Sequence, residues 1–500
     1  MNLALLLEMV TDAAADRVVV GSRAGGIVAA ELQRRARRAS ALFAGAGAER
    51  VGLLDVNSDA VPIALFGAAL AGLPFAPVNY RMPDEQLGRV LGRLGPATVV
   101  AGPDMVARVP TGQGLDAVTR DEFLASTTTA DEPGDDLPFV DPDDVAVLLF
   151  TSGTTGEPKT AVLRHRHLAS YIIATVEFLG AGDDEAQLVS VPPYHIAGVS
   201  TVLSSLYAGR RLVYLPAFDA EEWVRTAAAE AVTHAMVVPT MLGRILDCLE
   251  TSGTGLPSLR HLSYGGGRMP LEVVERAMQL LPGVDFVNAY GLTETSSTIS
   301  VLTPDDHRQA VASADPAVRR RLTSVGRPLP TIELEIREPG GGGALGPGAR
   351  GEICVRGEQV AGEYLERTAL TADGWFPTND AGWLDDDGFL FLDGRLDDVI
   401  VRGAENLSPG EIEDVLRSHP AVADVAVVGI PDPEWGEAVA AAVVLAEDGD
   451  VSPSDLQQWV RERLRSTRTP ELIQFRDELP YSETGKLLRR IVRTELTTSP

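Results

Sequence analysis

The chain has 500 residues, 45% hydrophobic and 23% charged, the composition of a globular protein too long for one compact core. A formal net charge of −28 argues against nucleic acid as a partner, because a phosphate-binding face needs an excess of Lys and Arg. Only two cysteines occur, Cys248 and Cys354, which excludes a disulfide framework, and no Cys/His cluster has zinc spacing. Residues 1–17 carry Glu8 and Asp12 where a signal peptide is basic, so a cytoplasmic protein is expected.

Apolar runs at Val18–Val20, 51–54, Ala97–Ala101, 145–150, 188–191 and 235–238 read as buried strands, with helices at 26–44, 84–94 and 221–231 between them. Such alternation implies parallel sheets with helices packed on their faces. The uncharged stretch 60–80 is interrupted by Pro62, Pro74 and Pro77. A membrane span needs about 20 clean apolar residues, so the stretch reads as a buried helix running into a strand. From 331 to 391 the pattern changes to alternating strands (332–336, Gly351–Arg356) around the turn-rich 339–348, which reads as a small β-barrel or distorted sheet with an exposed hairpin loop. After Gly394 a fresh α+β unit begins, with a helix at 409–418, strands at 422–429 and 438–445, and a helix at 454–464. The fold class is therefore α/β: a large N-terminal domain (1–394) of parallel sheets flanked by helices plus a small β-barrel, a boundary at 395–398, and a small C-terminal domain (399–500).

Of 43 basic residues, only Lys159 and Lys486 are lysines and all the rest are arginine. Arginine is a planar fork and lysine a compact point charge, so two lysines kept against this bias mark chemistry that a guanidinium cannot perform. Lys159 closes the string Thr151-Ser152-Gly153-Thr154-Thr155-Gly156-Glu157-Pro158-Lys159, which follows an apolar strand. Glycines let the backbone aim N–H groups at an anion, hydroxyls add donors and the lysine adds charge, so the segment reads as a phosphate cradle. Gly153 and Gly156 are too close for a Walker A loop.

The string resembles the phosphate loop of the adenylate-forming superfamily, which contains acyl- and aryl-CoA synthetases of the fatty-acid and 4-chlorobenzoate ligase types. Further signatures follow in the expected order, collinear from about Asp55 to Arg490. Pro192-Pro193-Tyr194-His195-Ile196-Ala197-Gly198 resembles the segment whose histidine stands at the mouth of the acyl pocket. Tyr264-Gly265-Gly266-Gly267 matches the stretch along adenine and the acyl group, and Asn288-Ala289-Tyr290-Gly291-Leu292-Thr293-Glu294 the nucleotide motif. The resemblance implies that Tyr290 stacks near adenine, Thr293 bonds the α-phosphate, and Glu294 holds Mg²⁺ with Thr155. Asp380, in Gly374-Trp375-Phe376-Pro377-Thr378-Asn379-Asp380, inherits the ribose contact, although Asn379 stands where the family carries glycine. Asn accepts positive φ better than most residues, so the turn is expected to survive.

By the same resemblance Arg395 contacts ribose, Asp397 is the pivot of a hinge at 395–398, and the C-terminal domain is mobile. Gly403 borders the pantetheine tunnel beside Ala404, a second glycine in most relatives. Lys486, in Pro480-Tyr481-Ser482-Glu483-Thr484-Gly485-Lys486, bridges the acid's carboxylate and the α-phosphate. Trp435 and Arg81 match positions that meet CoA, whereas Thr467-Arg468-Thr469-Pro470 lacks the usual aromatic ring. Tyr194, Val199, Val238, Met241, Tyr264, Gly265, Gly267 and Thr298 line the expected apolar acyl pocket, which offers no partner for a substrate amine.

The expected function is ATP- and Mg²⁺-dependent conversion of a small carboxylic acid to an acyl-adenylate, followed by transfer to coenzyme A as co-substrate. The alternatives are a stand-alone enzyme loading a carrier-protein phosphopantetheine and an inactive relative acting as a binding subunit. Leu292 stands where the peptide-synthetase branch usually has proline, which favours the ligase branch. A homodimer is left open; no membrane span and no nucleic acid are expected.

Overall fold

The computed structural model describes residues 1–129, 138–151, 158–340, 342–403, 405–447, 449–481 and 487–498. The chain forms two compact units. The first comprises Met1–Leu322, Pro328–Glu333 and Arg356–Phe376; the second comprises Thr323–Arg327, Leu334–Val355 and Pro377–Pro500.

The first unit holds two large sheets. In one, Ser297–Leu302, Asp285–Leu292, His261–Gly265, His234–Val237, Ala186–Val189, Arg211–Tyr214, Val18–Val20 and Ile27–Val28 lie side by side. Its interior pairs are parallel and its two outer pairs antiparallel. The second sheet runs Arg367–Thr368, Glu363–Tyr364, Lys159–Arg164, Val145–Thr151, Phe75–Pro77, Arg50–Leu54, Ala97–Ala101, Leu115–Thr119. Its central strands are Val/Leu runs buried on both faces, as parallel sheets covered by helices require.

The stretch 60–80 forms helix Ala60–Ala71 followed by strand Phe75–Pro77. The helix is apolar around its whole circumference because it packs inside the unit. A Cβ at Gly67 would come within 2.6 Å of Ala39 Cβ, so glycine sets how closely this helix approaches helix Ala29–Gly45. The expected helix over 26–44 is thus preceded by a short strand, Ile27–Val28, which pairs with Val18–Val20. Among the described residues no helix is long and apolar enough to cross a membrane.

Of the two expected forms, barrel or distorted sheet, the described residues show a sheet and no closed barrel. Glu333–Arg337, Gly351–Arg356, Phe376–Leu384 and Leu390–Arg395 make an open row of four strands. The intervening Glu363–Tyr364 leaves this row and adds an edge strand to the second large sheet, with Tyr364 opposite Ala161.

In the second unit, Val422–Asp432 and Gly436–Leu445 form a long hairpin, flanked by Ile400–Arg402, Glu405–Leu407 and Leu472–Arg476. Side chains alternate across it. Val425, Val427, Val439, Ala441 and Val443 pack in one apolar layer with helices Pro409–Arg417 and Pro453–Arg461. Ala426, Val428, Ala440 and Ala442 pack in the other with Val492 and Leu496 of helix Arg489–Thr498.

Candidate active site

In open α/β sheets, ligands bind beyond the carboxyl ends of the parallel strands. Two neighbouring strands of the first unit, His261–Gly265 and Asp285–Leu292, deliver motif residues there. Gly265 lies opposite Ala289, and a Cβ on it would strike the Ala289 carbonyl oxygen at 2.2 Å, so no other residue fits. Gly266 turns the chain at φ +78°, and Gly266 and Gly267 leave their backbone exposed. Asn288 and Tyr290 are buried beside them, while Gly291 is exposed.

Past Leu292 the chain makes a single 3₁₀ turn, Thr293–Thr295, and reverses sharply. Ser296 and Ser297 take φ of 55° and 111°, and a Cβ on Gly291 would fall 1.8 Å from the Ser297 oxygen. Within this turn Glu294 is 7% exposed. Its carboxylate accepts a hydrogen bond from the Tyr364 hydroxyl at 2.6 Å, and its carbonyl accepts the N–H groups of Ala361 and Gly362 at 2.9 and 3.0 Å. Gln359 donates to the Thr295 and Thr298 carbonyls, so residues 359–364 are laced onto the turn. Among the described residues no basic side chain forms an ion pair with Glu294.

Thr151 ends the strand Val145–Thr151 opposite Lys159, which begins the next strand; the Lys159 ammonium lies 5.8 Å from the centre of the Tyr364 ring. Ser152, Gly153, Thr154, Thr155 and Gly156 lie outside the described residues, as do Ala404 and Lys486.

His195 is the N-cap residue of helix Ile196–Tyr207. Burial lowers its pKa to about 4, so the imidazole is neutral at pH 7. Its ring leans on Tyr194 with centroids 4.6 Å apart, and Tyr194 meets Tyr80 edge-on at 5.5 Å. Arg81, exposed, places its guanidinium 5.4 Å from the Tyr80 ring centre. A Cβ on Gly198 would lie 2.8 Å from the Pro192 oxygen, which explains the glycine ending this motif.

Val199, Val238 and Met241 are buried, and Thr298 is partly exposed. Tyr264 is fully enclosed, and its hydroxyl donates to His307 Nε2 at 2.8 Å. His307 Nδ1 lies 2.8 Å from the Thr303 carbonyl and so carries the proton, leaving Nε2 to accept. The phenol that was expected on the pocket wall is thus turned into a buried hydrogen bond, with only ring atoms to offer its neighbours.

In the second unit Asp380 and Arg395 are cross-strand partners, joined by Arg395 Nε and Asp380 Oδ1 at 3.0 Å. Asn379 adopts φ +61°, the conformation expected of its position, and its amide donates to Asp397 Oδ2 at 2.9 Å. Leu396–Asp398 forms a 3₁₀ turn. Gly403, at φ +61°, donates its N–H to the Trp435 carbonyl, and a Cβ on it would touch the Trp435 ring at 3.4 Å. The indole is 45% exposed, with the Arg402 guanidinium 5.4 Å from its centre. Arg468 is engaged by Glu411 at 2.8 Å and Glu405 at 3.2 Å, so its charge is largely neutralised within the unit.

A family model described as AMP-binding enzyme matches residues 10–365, and the AMP-binding enzyme C-terminal domain matches residues 411–486. The chain belongs to the AMP-binding enzyme family. It is 33% identical over 484 residues to feruloyl-CoA synthase of an Amycolatopsis species, covering 93% of each chain. It is 33% identical over 479 residues to the fatty acid–acyl-carrier-protein ligase ScoC of Streptomyces coeruleorubidus, covering 93% of this chain and 90% of that one. Among solved structures, the amide bond synthetase McbA of Marinactinospora thermotolerans superposes with a TM-score of 0.85 at 30% identity over 99% of both chains. The o-succinylbenzoate CoA synthetase of Bacillus subtilis, solved with its acyl-adenylate intermediate, superposes with a TM-score of 0.84 at 26% identity over 99% of this chain and 98% of that one.

Within the AMP-binding frame, the first unit brings together Thr293, Glu294, Lys159 and the Gly265–Gly267 turn, and the second brings together Asp380, Arg395 and Asp397. Tyr364 and His307 are additions that sequence reasoning missed, since each contacts its partner across a long stretch of chain with no local signature. Among the described residues no cluster of three His, Cys, Asp or Glu makes a self-sufficient metal cage. Mg²⁺ does not need one, being held commonly by one or two carboxylates together with substrate phosphates. A buried carboxylate held by a phenol and, among the described residues, by no cation is costly on its own, and it fits that role.

Proposed function

We propose that the chain is an acid–thiol ligase that activates a carboxylic acid with ATP and passes the acyl group to coenzyme A. In the first half-reaction a carboxylate oxygen bonds to the α-phosphorus and pyrophosphate leaves. In the second, the thiol sulfur bonds to the acyl carbon and AMP departs, keeping the carboxylate oxygen that had joined the two. Mg²⁺, when held by Glu294 and Thr155 with the nucleotide phosphates, offsets the negative charge that develops in the first step.

In this reading the Thr151–Gly156 loop and Lys159 cradle the phosphates, Gly265, Gly266 and the Asn288–Gly291 segment accommodate adenine, and Thr293 donates to the α-phosphate. Asp380 and Arg395 take the ribose hydroxyls, and Lys486 supplies the point charge between carboxylate and α-phosphate. The neutral His195 and the apolar Val199, Val238 and Met241 suit an acid with an uncharged body. Trp435 and Arg81 serve CoA. Residues 395–398 act as a hinge about Asp397 for the C-terminal segment 399–500, and the protein works in the cytoplasm.

The observation that carries the reading is Glu294, a carboxylate buried in the AMP-binding turn and, among the described residues, paired with no base. Relatives named for a carrier-protein ligase and an amide bond synthetase make the acceptor the open branch of the proposal. The test is mass spectrometry of reactions with ATP, Mg²⁺ and a panel of hydroxycinnamic, benzoic and fatty acids, each with CoA, a holo carrier protein or an amine. An acyl-CoA as the dominant product is expected. Acyl-carrier protein or amide without acyl-CoA would overturn the CoA assignment while keeping adenylation.

A further inference from the structure

Tyr364 reaches Glu294 from 70 residues away along the chain, and the backbone around it is fixed independently of that contact. It pairs with Ala161 at the sheet edge, and the following Leu365 donates to the Thr160 carbonyl at 3.0 Å. The preceding Glu363 is gripped by Arg164 through two contacts of 2.7 and 2.9 Å. Glu366, two residues on, pairs with Arg93 at 2.9 Å. The phenol is therefore delivered to Glu294 by a braced strand and is not there by chance of rotamer. It bonds Oε1 of the carboxylate, and among the described residues no side chain bonds Oε2. The same ring presents a face or edge to Lys159, the described end of the phosphate loop, at 5.8 Å.

We propose that Tyr364 is a positioning residue for the cation: it orients Glu294 for metal–nucleotide binding and places the Lys159 ammonium beside the same group. Outer-sphere partners of ligating carboxylates act in this way, and their loss costs roughly 10–100-fold in metal affinity. The proposal rests on the reading of Glu294 as a cation ligand.

The test is direct Mn²⁺ titration, by water-proton relaxation, of protein carrying α,β-methylene-ATP. Tyr364→Phe keeps the ring and its packing and removes only the hydroxyl; thermal melting checks that the fold is kept. The expected result is Mn²⁺ affinity about tenfold weaker in Y364F, with a matching rise in the Mg²⁺ needed for half-maximal pyrophosphate release and little loss at saturating Mg²⁺. A purely structural role would lower melting temperature or turnover without moving either metal constant. Glu294→Gln separates the two layers of the claim. If E294Q weakens Mn²⁺ binding and Y364F does not, the role of Tyr364 is overturned. If neither does, the reading of Glu294 itself fails.

Discussion

Asn379 and Asp397 are joined by a hydrogen bond, the Asn379 amide donating to Asp397 Oδ2 at 2.9 Å. The bond ties the turn that precedes Asp380 to the proposed pivot of the hinge. It exists because the residue held at φ +61° is asparagine, whose side-chain amide reaches the carboxylate. Replacing Asn379 by glycine removes the tether without straining the turn, since glycine adopts positive φ freely. An exposed bond of this kind contributes about 1 kcal/mol, so N379G is expected to speed conversion of a preformed adenylate to thioester by up to about fivefold in single-turnover rapid quench. An unchanged rate would mean that the bond does not restrain the domain movement.

Lys486 is expected to matter in one half-reaction only. Its flanks are held by the Tyr481–Leu487 bridge and by the Leu488 N–H bonded to the Pro480 carbonyl at 2.9 Å. Lys486→Ala should lower acid-dependent pyrophosphate release at least 10²-fold, on the order of losing one transition-state donor. Thiolysis of a supplied acyl-adenylate should stay close to that of the parent. Equal adenylation rates in mutant and parent would remove the lysine from the mechanism.

The second unit depends on a buried ion pair. Arg489 Nη2 lies 2.8 and 2.7 Å from the two oxygens of Glu413, a side chain 3% exposed that also accepts the Val427 N–H at 2.9 Å. Arg489→Met leaves that carboxylate buried and unpaired, and breaking such a pair costs about 3–5 kcal/mol. Urea unfolding followed by Trp435 and Trp459 fluorescence is expected to show an earlier transition of this unit. A midpoint equal to the parent's would contradict the assignment.

Five histidines tie stability to pH, His307 among them, its pKa lowered by burial. Burial lowers the pKa of His165, His167 and His195 to about 4 and that of His234 to about 2. Below pH 6.5 the unfolded chain takes up protons that the folded chain refuses, so each contributes a loss of stability as pH falls from 6.5 toward its folded pKa. The slope approaches about 1.4 kcal/mol per pH unit for each histidine. Replacing His195 by Gln should flatten the fall in melting temperature between pH 6.5 and 4, and the parent's pH–rate profile should lack a limb near 6.5 arising from His195. A limb near 6.5 that disappears in H195Q would contradict the neutral assignment.

Much of this architecture was legible because burial writes itself into composition. The run 60–80 announced a buried helix and strand through its want of charge, and the apolar runs at 422–429 and 438–445 announced two C-terminal strands. Asn379 was legible as a positive-φ position, because few residue types tolerate one. For 333 to 395 the sequence leaves barrel and distorted sheet open, because Glu363–Tyr364, two residues without any period, leaves the row for another sheet. Tyr364 and His307 were hidden for a related reason: a single side-chain contact between distant segments has no spacing to detect. Tyr264 shows the limit from the other side, since its place on the pocket wall was inferred while its partner His307 could not be.

If the acid passes through an acyl-adenylate, one of its carboxylate oxygens leaves on AMP, and isotope transfer follows that oxygen. The enzyme is incubated with ATP, Mg²⁺, CoA and an acid labelled with ¹⁸O in both carboxylate oxygens, and the AMP is examined by mass spectrometry. One ¹⁸O in every AMP formed and none in pyrophosphate is expected. Unlabelled AMP, or label appearing in inorganic phosphate alongside ADP, would contradict the acyl-adenylate route.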